Sequence, residues 1–88
     1  MSDLMSIGEF ATATWLSPKA LRLYDRRGLL SPDRVDPFTG YRGYSDAQVD
    51  QARLISMLRR IDMSLEEIGE LLALPPGYQA AYLGRYRR

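Results

Sequence analysis

The stretch L-S-P-K-A-L-R-L-Y-D-R-R-G-L-L at residues 16–30 decides the fold. Ser17 is a favoured N-cap residue, and Pro18 follows at the first helical position, where the N–H it lacks would have no intrahelical partner. Leu21 and Tyr24 then mark one face, with Ala20 and Leu23 beside them, and Gly28 ends the helix where a left-handed residue costs least. Upstream, Ser6 and Glu9 have the spacing of a capping box, and Ile7 and Phe10 lie three apart, which predicts a short helix over 7–13. Only residues 14–16 separate the two helices. That is helix-turn-helix spacing.

Downstream the period changes. Leu29, Leu30, Pro32 and Val35 lead into the turn D-P-F-T-G at 36–40, and Tyr41, Arg42, Gly43 and Tyr44 return. Gly40 supplies an unusual backbone angle and Pro37 disfavours continuous strand, so this reads as a short β-hairpin whose polar tip makes it a wing. Ser45 is placed to cap a third helix over 46–61, with Asp46 at its positive end and an apolar stripe of Val49, Ala52, Leu54, Ile55, Leu58 and Ile61. Ser64 and Glu67 repeat the capping box ahead of Leu65, Ile68, Leu71 and Leu72, and Pro75 with Pro76 ends that helix. The fold class is mainly α: a winged helix-turn-helix with a hairpin wing and a second helical pair, its core including Leu21, Leu54, Ile55, Leu58, Ile68 and Leu71. The division is a leader at 1–5, the domain at 6–74, and a linker or the truncated start of a dimerisation helix at 75–88.

Charge is uneven although the net value is +1. Residues 19–60 carry nine basic side chains (Lys19, Arg22, Arg26, Arg27, Arg34, Arg42, Arg53, Arg59, Arg60) against five acids, and residues 61–84 carry four acids and no base. One positive face is what a phosphate backbone requires. The chain has neither cysteine nor histidine, which removes disulfides and conventional zinc sites. No phosphate-cradling glycine loop is present, and the carboxylates are dispersed or serve as caps, so no enzyme and no cofactor are expected. The apolar runs fall short of the roughly 18 residues a membrane span needs, and a cytoplasmic, nucleoid-associated protein is expected.

A recognition helix needs short or forked donors near its exposed N-terminal end, which enters the groove, and Ser17, Lys19 and Arg22 meet that requirement. Ser17 reads equally as an ordinary cap. Arg42, between aromatics on a tight wing, has no obvious intramolecular partner and is expected on phosphate. Tyr24 reads as core or as a phosphate contact, and Tyr44 as a contact or a brace of the wing base. Arg26, Arg59 and Arg60 read as phosphate contacts or as a solvated face.

The segments S-I-G-E-F-A at 6–11, L-S-P-K-A-L-R-L-Y-D-R-R-G-L-L at 16–30, V-D-P-F-T-G-Y-R-G-Y-S-D-A-Q at 35–48 and S-L-E-E-I at 64–68, in this order and spacing, resemble the N-terminal domain of the MerR family of transcription regulators. V-D-P-x-T-x-Y-R with A-L-R-x-Y-D looks more like the multidrug-sensing branch than the mercury or copper branches. The resemblance implies a homodimer through a long antiparallel coiled coil, with the isolated domain monomeric or weakly dimeric. It implies binding to double-stranded promoter DNA, which is kinked and untwisted for the RNA polymerase holoenzyme. It puts Ser17, Lys19 and Arg22 at the major groove or its flanks, Tyr24 on a phosphate, and Arg42 and Tyr44 on the backbone beneath the wing, with further phosphate contacts from Arg59 or Arg60. Three departures stand out: Leu23 where the family often has a second aromatic, Gly43 where it has a bulky residue, and Trp15 where a small one is common. Gly43 is expected to loosen the hairpin and weaken DNA affinity, and Leu23 either to join the core or to weaken that affinity too. A protein-interaction module is the alternative, with Trp15, Tyr78, Tyr82 and Tyr86 contacting polymerase or another regulator.

Overall fold

The computed structural model describes residues 4–75 and 77–79. The elements run β1 (Met5–Ser6), α1 (Ile7–Thr14), α2 (Pro18–Arg26), β2 (Arg34–Val35), β3 (Arg42–Tyr44), a 3-10 turn (Asp46–Gln48), α3 (Val49–Arg60) and α4 (Leu65–Ala73). Local chemistry accounts for most of the boundaries. Ser6 Oγ accepts from Glu9 N–H while the Glu9 carboxylate accepts from Ser6 N–H, and Ser64 and Glu67 repeat the exchange at α4. Ser17 Oγ accepts from Ala20 N–H at 3.0 Å, with Pro18 at the first helical position. At the other end of α2, Gly28 has φ 72° and Leu29 N–H returns to Tyr24 C=O at 2.8 Å.

The third helix departs from expectation at its start. Ser45 is the N-cap residue, as expected, but the turn that follows it is tight. The Ser45 backbone C=O accepts from Gln48 N–H, and the Gln48 side chain accepts from Ser45 N–H. The first turn is therefore 3-10, and Gln48 also donates to Ser31 C=O, tying α3 to the loop after α2.

The wing is part of a three-stranded antiparallel sheet in the order β1-β3-β2. Residues 1–5 were expected to form a leader, but Met5 pairs with Tyr44 and Ser6 with Gly43, while Arg34 and Val35 pair with Gly43 and Arg42 on the other edge. Two residues are too few for a period-2 pattern to register, so β1 is invisible to periodicity. The wing turn is closed by Asp36, whose Oδ1 accepts from Phe38 and Thr39 N–H, and Gly40 at φ 74° returns its N–H to Asp36 C=O.

Gly43 does not loosen this sheet. A Cβ built there would stand 2.9 Å from Leu4 Cδ1 and 3.2 Å from Leu4 Cβ, so Leu4 occupies the space over the central strand. The absent side chain is what lets β1 lie down.

The core joins both halves: Phe10 and Ala11 of α1, Leu21 and Tyr24 of α2, Leu30, Tyr44 of β3, Ala52, Ile55 and Leu58 of α3, Met63, and Ile68 and Leu71 of α4. Leu54, expected in the core, lies at its margin, and Ile61 is exposed. Thr14 is fully buried at the end of α1, and its hydroxyl donates to Phe10 C=O at 2.7 Å.

Candidate nucleic-acid interface

The face opposite the buried side of α2 is basic. Leu21 and Tyr24 point inward, whereas Lys19, Arg22 and Arg26, three and four residues apart, are exposed along one stripe. Ser17 is exposed at the head of that stripe, but its oxygen is already committed to Ala20 N–H. Tyr24 is a core side chain, 5% exposed.

The wing side chains fall differently. Arg42 and Tyr44, two apart on β3, share a face of the strand. Arg42 has a partner after all: its Nε lies 3.4 Å from Asp25 Oδ2 in the last turn of α2, and both side chains are partly buried. Tyr44 is not a surface residue. Its ring is fully buried and stacked on Phe10, with centroids 4.3 Å apart and planes 10° from parallel. The hydroxyl is buried without a hydrogen-bond partner among the described residues. Burial pushes its pKa above 10.0; Arg42 and Arg22 draw it down, and Asp25 raises it. These influences put Asp25, Arg22 and Arg42 around one buried phenol, where the recognition helix meets the wing.

The two arginines at the end of α3 differ in their surroundings. Arg59 Nη1 donates to Met63 C=O at 2.6 Å, closing the α3–α4 turn, in which Asp62 adopts φ 64°. Arg59 thus serves the turn. Arg60 is exposed and has no ion-pair partner among the described residues. Trp15 takes the left-handed position after α1 at φ 61°, is 57% exposed, and has the Arg53 guanidinium 4.8 Å from its ring centroid. Arg53 Nε also donates to Ala13 C=O, so the arginine braces the helix-turn-helix turn. Tyr78 is exposed; Tyr82 and Tyr86, the other aromatics of the expected tail surface, lie outside the described residues.

Asp25 joins the site without any local signal in the sequence. It stands 17 positions from Arg42, and no local spacing links the two.

Comparison with known proteins decides the lineage of this arrangement. The family model described as MerR HTH family regulatory protein matches residues 5–74. The chain belongs to the MerR family. It is 38% identical over 73 residues to the mercuric resistance operon regulatory protein of Serratia marcescens, covering 83% of this chain and 50% of that protein. It is 46% identical over 63 residues to the multidrug-efflux transporter 1 regulator of Bacillus subtilis, covering 72% of this chain and 23% of that protein. The MerR domain described here thus spans half or less of these relatives, which include both mercury and multidrug regulators. Among solved structures, EcmrR in its DNA complex within EcmrR-RPo superimposes with a TM-score of 0.79 at 29% identity, over 94% of this chain and 30% of that one. Winged helix-turn-helix architecture and family agree. Among the described residues, no helix is long and apolar enough to cross a membrane.

Proposed function

We propose that this chain is the part of a MerR-type regulator that reads double-stranded promoter DNA. The observation that carries the reading is the exposed Lys19, Arg22 and Arg26 stripe of α2 beside the Arg42 guanidinium of the wing. A helix of this kind enters the major groove, and a cationic wing grips the neighbouring backbone. In this reading Lys19 and Arg22 meet bases or flanking phosphates from the head of α2, Arg26 meets phosphate, and Arg42 holds the backbone. Arg60 is a secondary phosphate contact, and Ser17 acts first as the cap that aims the helix. Tyr44 and Arg59 leave the interface, because one is enclosed and the other closes a turn. Tyr24 contributes by anchoring α2 to the core.

The whole regulator dimerises through a long helix and distorts the promoter for RNA polymerase. It works in the cytoplasm, associated with the nucleoid, and the domain contributes no catalysis. The relatives named as operon and efflux regulators, and the neighbour seen on DNA, support this reading.

The test is binding of the chain to a palindromic promoter duplex and to a scrambled one at two salt concentrations, with Arg42→Ala alongside. Expected is a steep salt dependence for the parent, with Arg42→Ala weakening binding to both duplexes by a similar factor and reducing the salt slope by about 0.9, the share of one phosphate contact. Unchanged affinity in that variant removes the wing from the interface.

A further inference from the structure

We propose that Asp25 is the positioning residue of the wing arginine: its carboxylate, carried on α2, receives Arg42 Nε–H and holds the guanidinium so that its Nη groups are left for a DNA phosphate. The proposal rests on the phosphate reading of Arg42. Two electrostatic arguments oppose an acid at position 25. The last turn of a helix favours cations, and this helix also presents Lys19, Arg22 and Arg26. A carboxylate there repels the phosphates those side chains would meet. What it gains is the contact to Arg42 at 3.4 Å, which uses the Nε edge alone. At 3.4 Å the contact is longer than a close charge-assisted bond of roughly 2.8 Å and engages one edge of the guanidinium only. The Nη groups make no hydrogen bond among the described residues. The strand carrying Arg42 is also held from below, because Tyr44 on the same face is locked against Phe10. An arginine is costly to order on binding, and one already tethered at Nε needs less ordering.

The two possible roles of Asp25 differ in sign. If Asp25 only repels DNA, removing it tightens binding. If it positions Arg42, removing the acceptor weakens binding despite the loss of a negative charge. The experiment measures the full chain on a mixed-sequence B-DNA duplex at two salt concentrations, comparing Asp25→Ala, Asp25→Asn, Arg42→Ala and the Asp25→Ala/Arg42→Ala pair, with urea midpoints for each. Asp25→Ala should weaken binding about threefold to tenfold, the factor for ordering one flexible side chain, and lower the salt slope toward that of Arg42→Ala. Asp25→Asn keeps an oxygen that can accept from Nε and should bind at least as tightly as the parent. Without Arg42, Asp25→Ala should tighten binding. Tighter binding by Asp25→Ala in the parent background overturns the proposal, as does equal weakening with and without Arg42, which would assign the effect to the fold. An Arg42→Ala variant that binds like the parent is a separate outcome: it removes the phosphate reading and this proposal with it.

Discussion

Tyr44→Phe isolates one buried atom. The tyrosine ring stacks on Phe10 and is fully enclosed, so phenylalanine preserves its shape and its stacking partner while deleting a hydroxyl that has no hydrogen-bond partner. An unsatisfied buried hydroxyl costs about 1–3 kcal/mol in lost hydration. Taking about 1 kcal/mol as the recoverable part, the variant should be more stable than the parent. With a urea m-value of about 1 kcal/mol/M for a domain this small, the midpoint should rise by about 1 M. The melting temperature should rise by roughly 4–8 °C. Far-UV circular dichroism during urea and thermal unfolding measures both. The pH dependence supplies a second readout. Because burial raises the folded-state pKa of Tyr44 above the ordinary 10.0, the folded state holds the proton more tightly than the unfolded state. That contribution is fully present below pH 10 and is lost as pH rises through the folded-state pKa. Tyr44→Phe should therefore lose less stability than the parent in this alkaline window. DNA affinity should stay at the parental value, since an enclosed ring contacts no phosphate. A variant less stable than the parent would refute the reasoning by showing that the hydroxyl is bonded in the folded protein. A stable variant with weakened DNA binding would refute the burial of the ring.

Three other changes probe other parts of the design. Gly43→Ala drives a methyl group into the Leu4 side chain and should cost about 1 kcal/mol in urea unfolding, partly recovered when Leu4→Ala is added; an unaffected midpoint would show that Leu4 does not lie fixed against Gly43. Ser64→Ala removes the oxygen that accepts Glu67 N–H at 3.1 Å and should cost about 1 kcal/mol, whereas Ser64→Gly should cost only a few tenths, both read from thermal melts. Lys19→Ala should reduce the preference for a promoter duplex over a scrambled one by about tenfold if the lysine reads a base edge; equal losses on both duplexes place it on phosphate.

The elements legible in the sequence are those whose signals are local. A capping box is complete within four residues, as at Ser6–Glu9 and Ser64–Glu67, and both form as the spacing predicts. Pro18 after Ser17, Gly28 at the end of α2 and Gly40 in the wing turn act through their own backbone angles, so their positions alone locate the boundaries. The basic stripe of α2 follows from helical periodicity once the inward positions are known. Ser45 heads the third helix as its position predicts, but its backbone C=O takes the Gln48 N–H, so the first turn is 3-10, a detail set by geometry and not by spacing.

The order of elements, the helix-turn-helix spacing, the wing and the family follow from signals that are local along the chain. Tertiary structure decided which polar groups remain available to DNA. Arg42 meets Asp25 across 17 residues, Arg53 reaches Ala13 across 40, and Leu4 fills the space above Gly43. None of these pairs has a characteristic spacing, because each arises where separate elements dock. The same docking encloses Tyr44 against Phe10 of α1. A side chain's residue type states what it can bind, but only packing determines whether its polar atoms face solvent, another side chain or nothing at all.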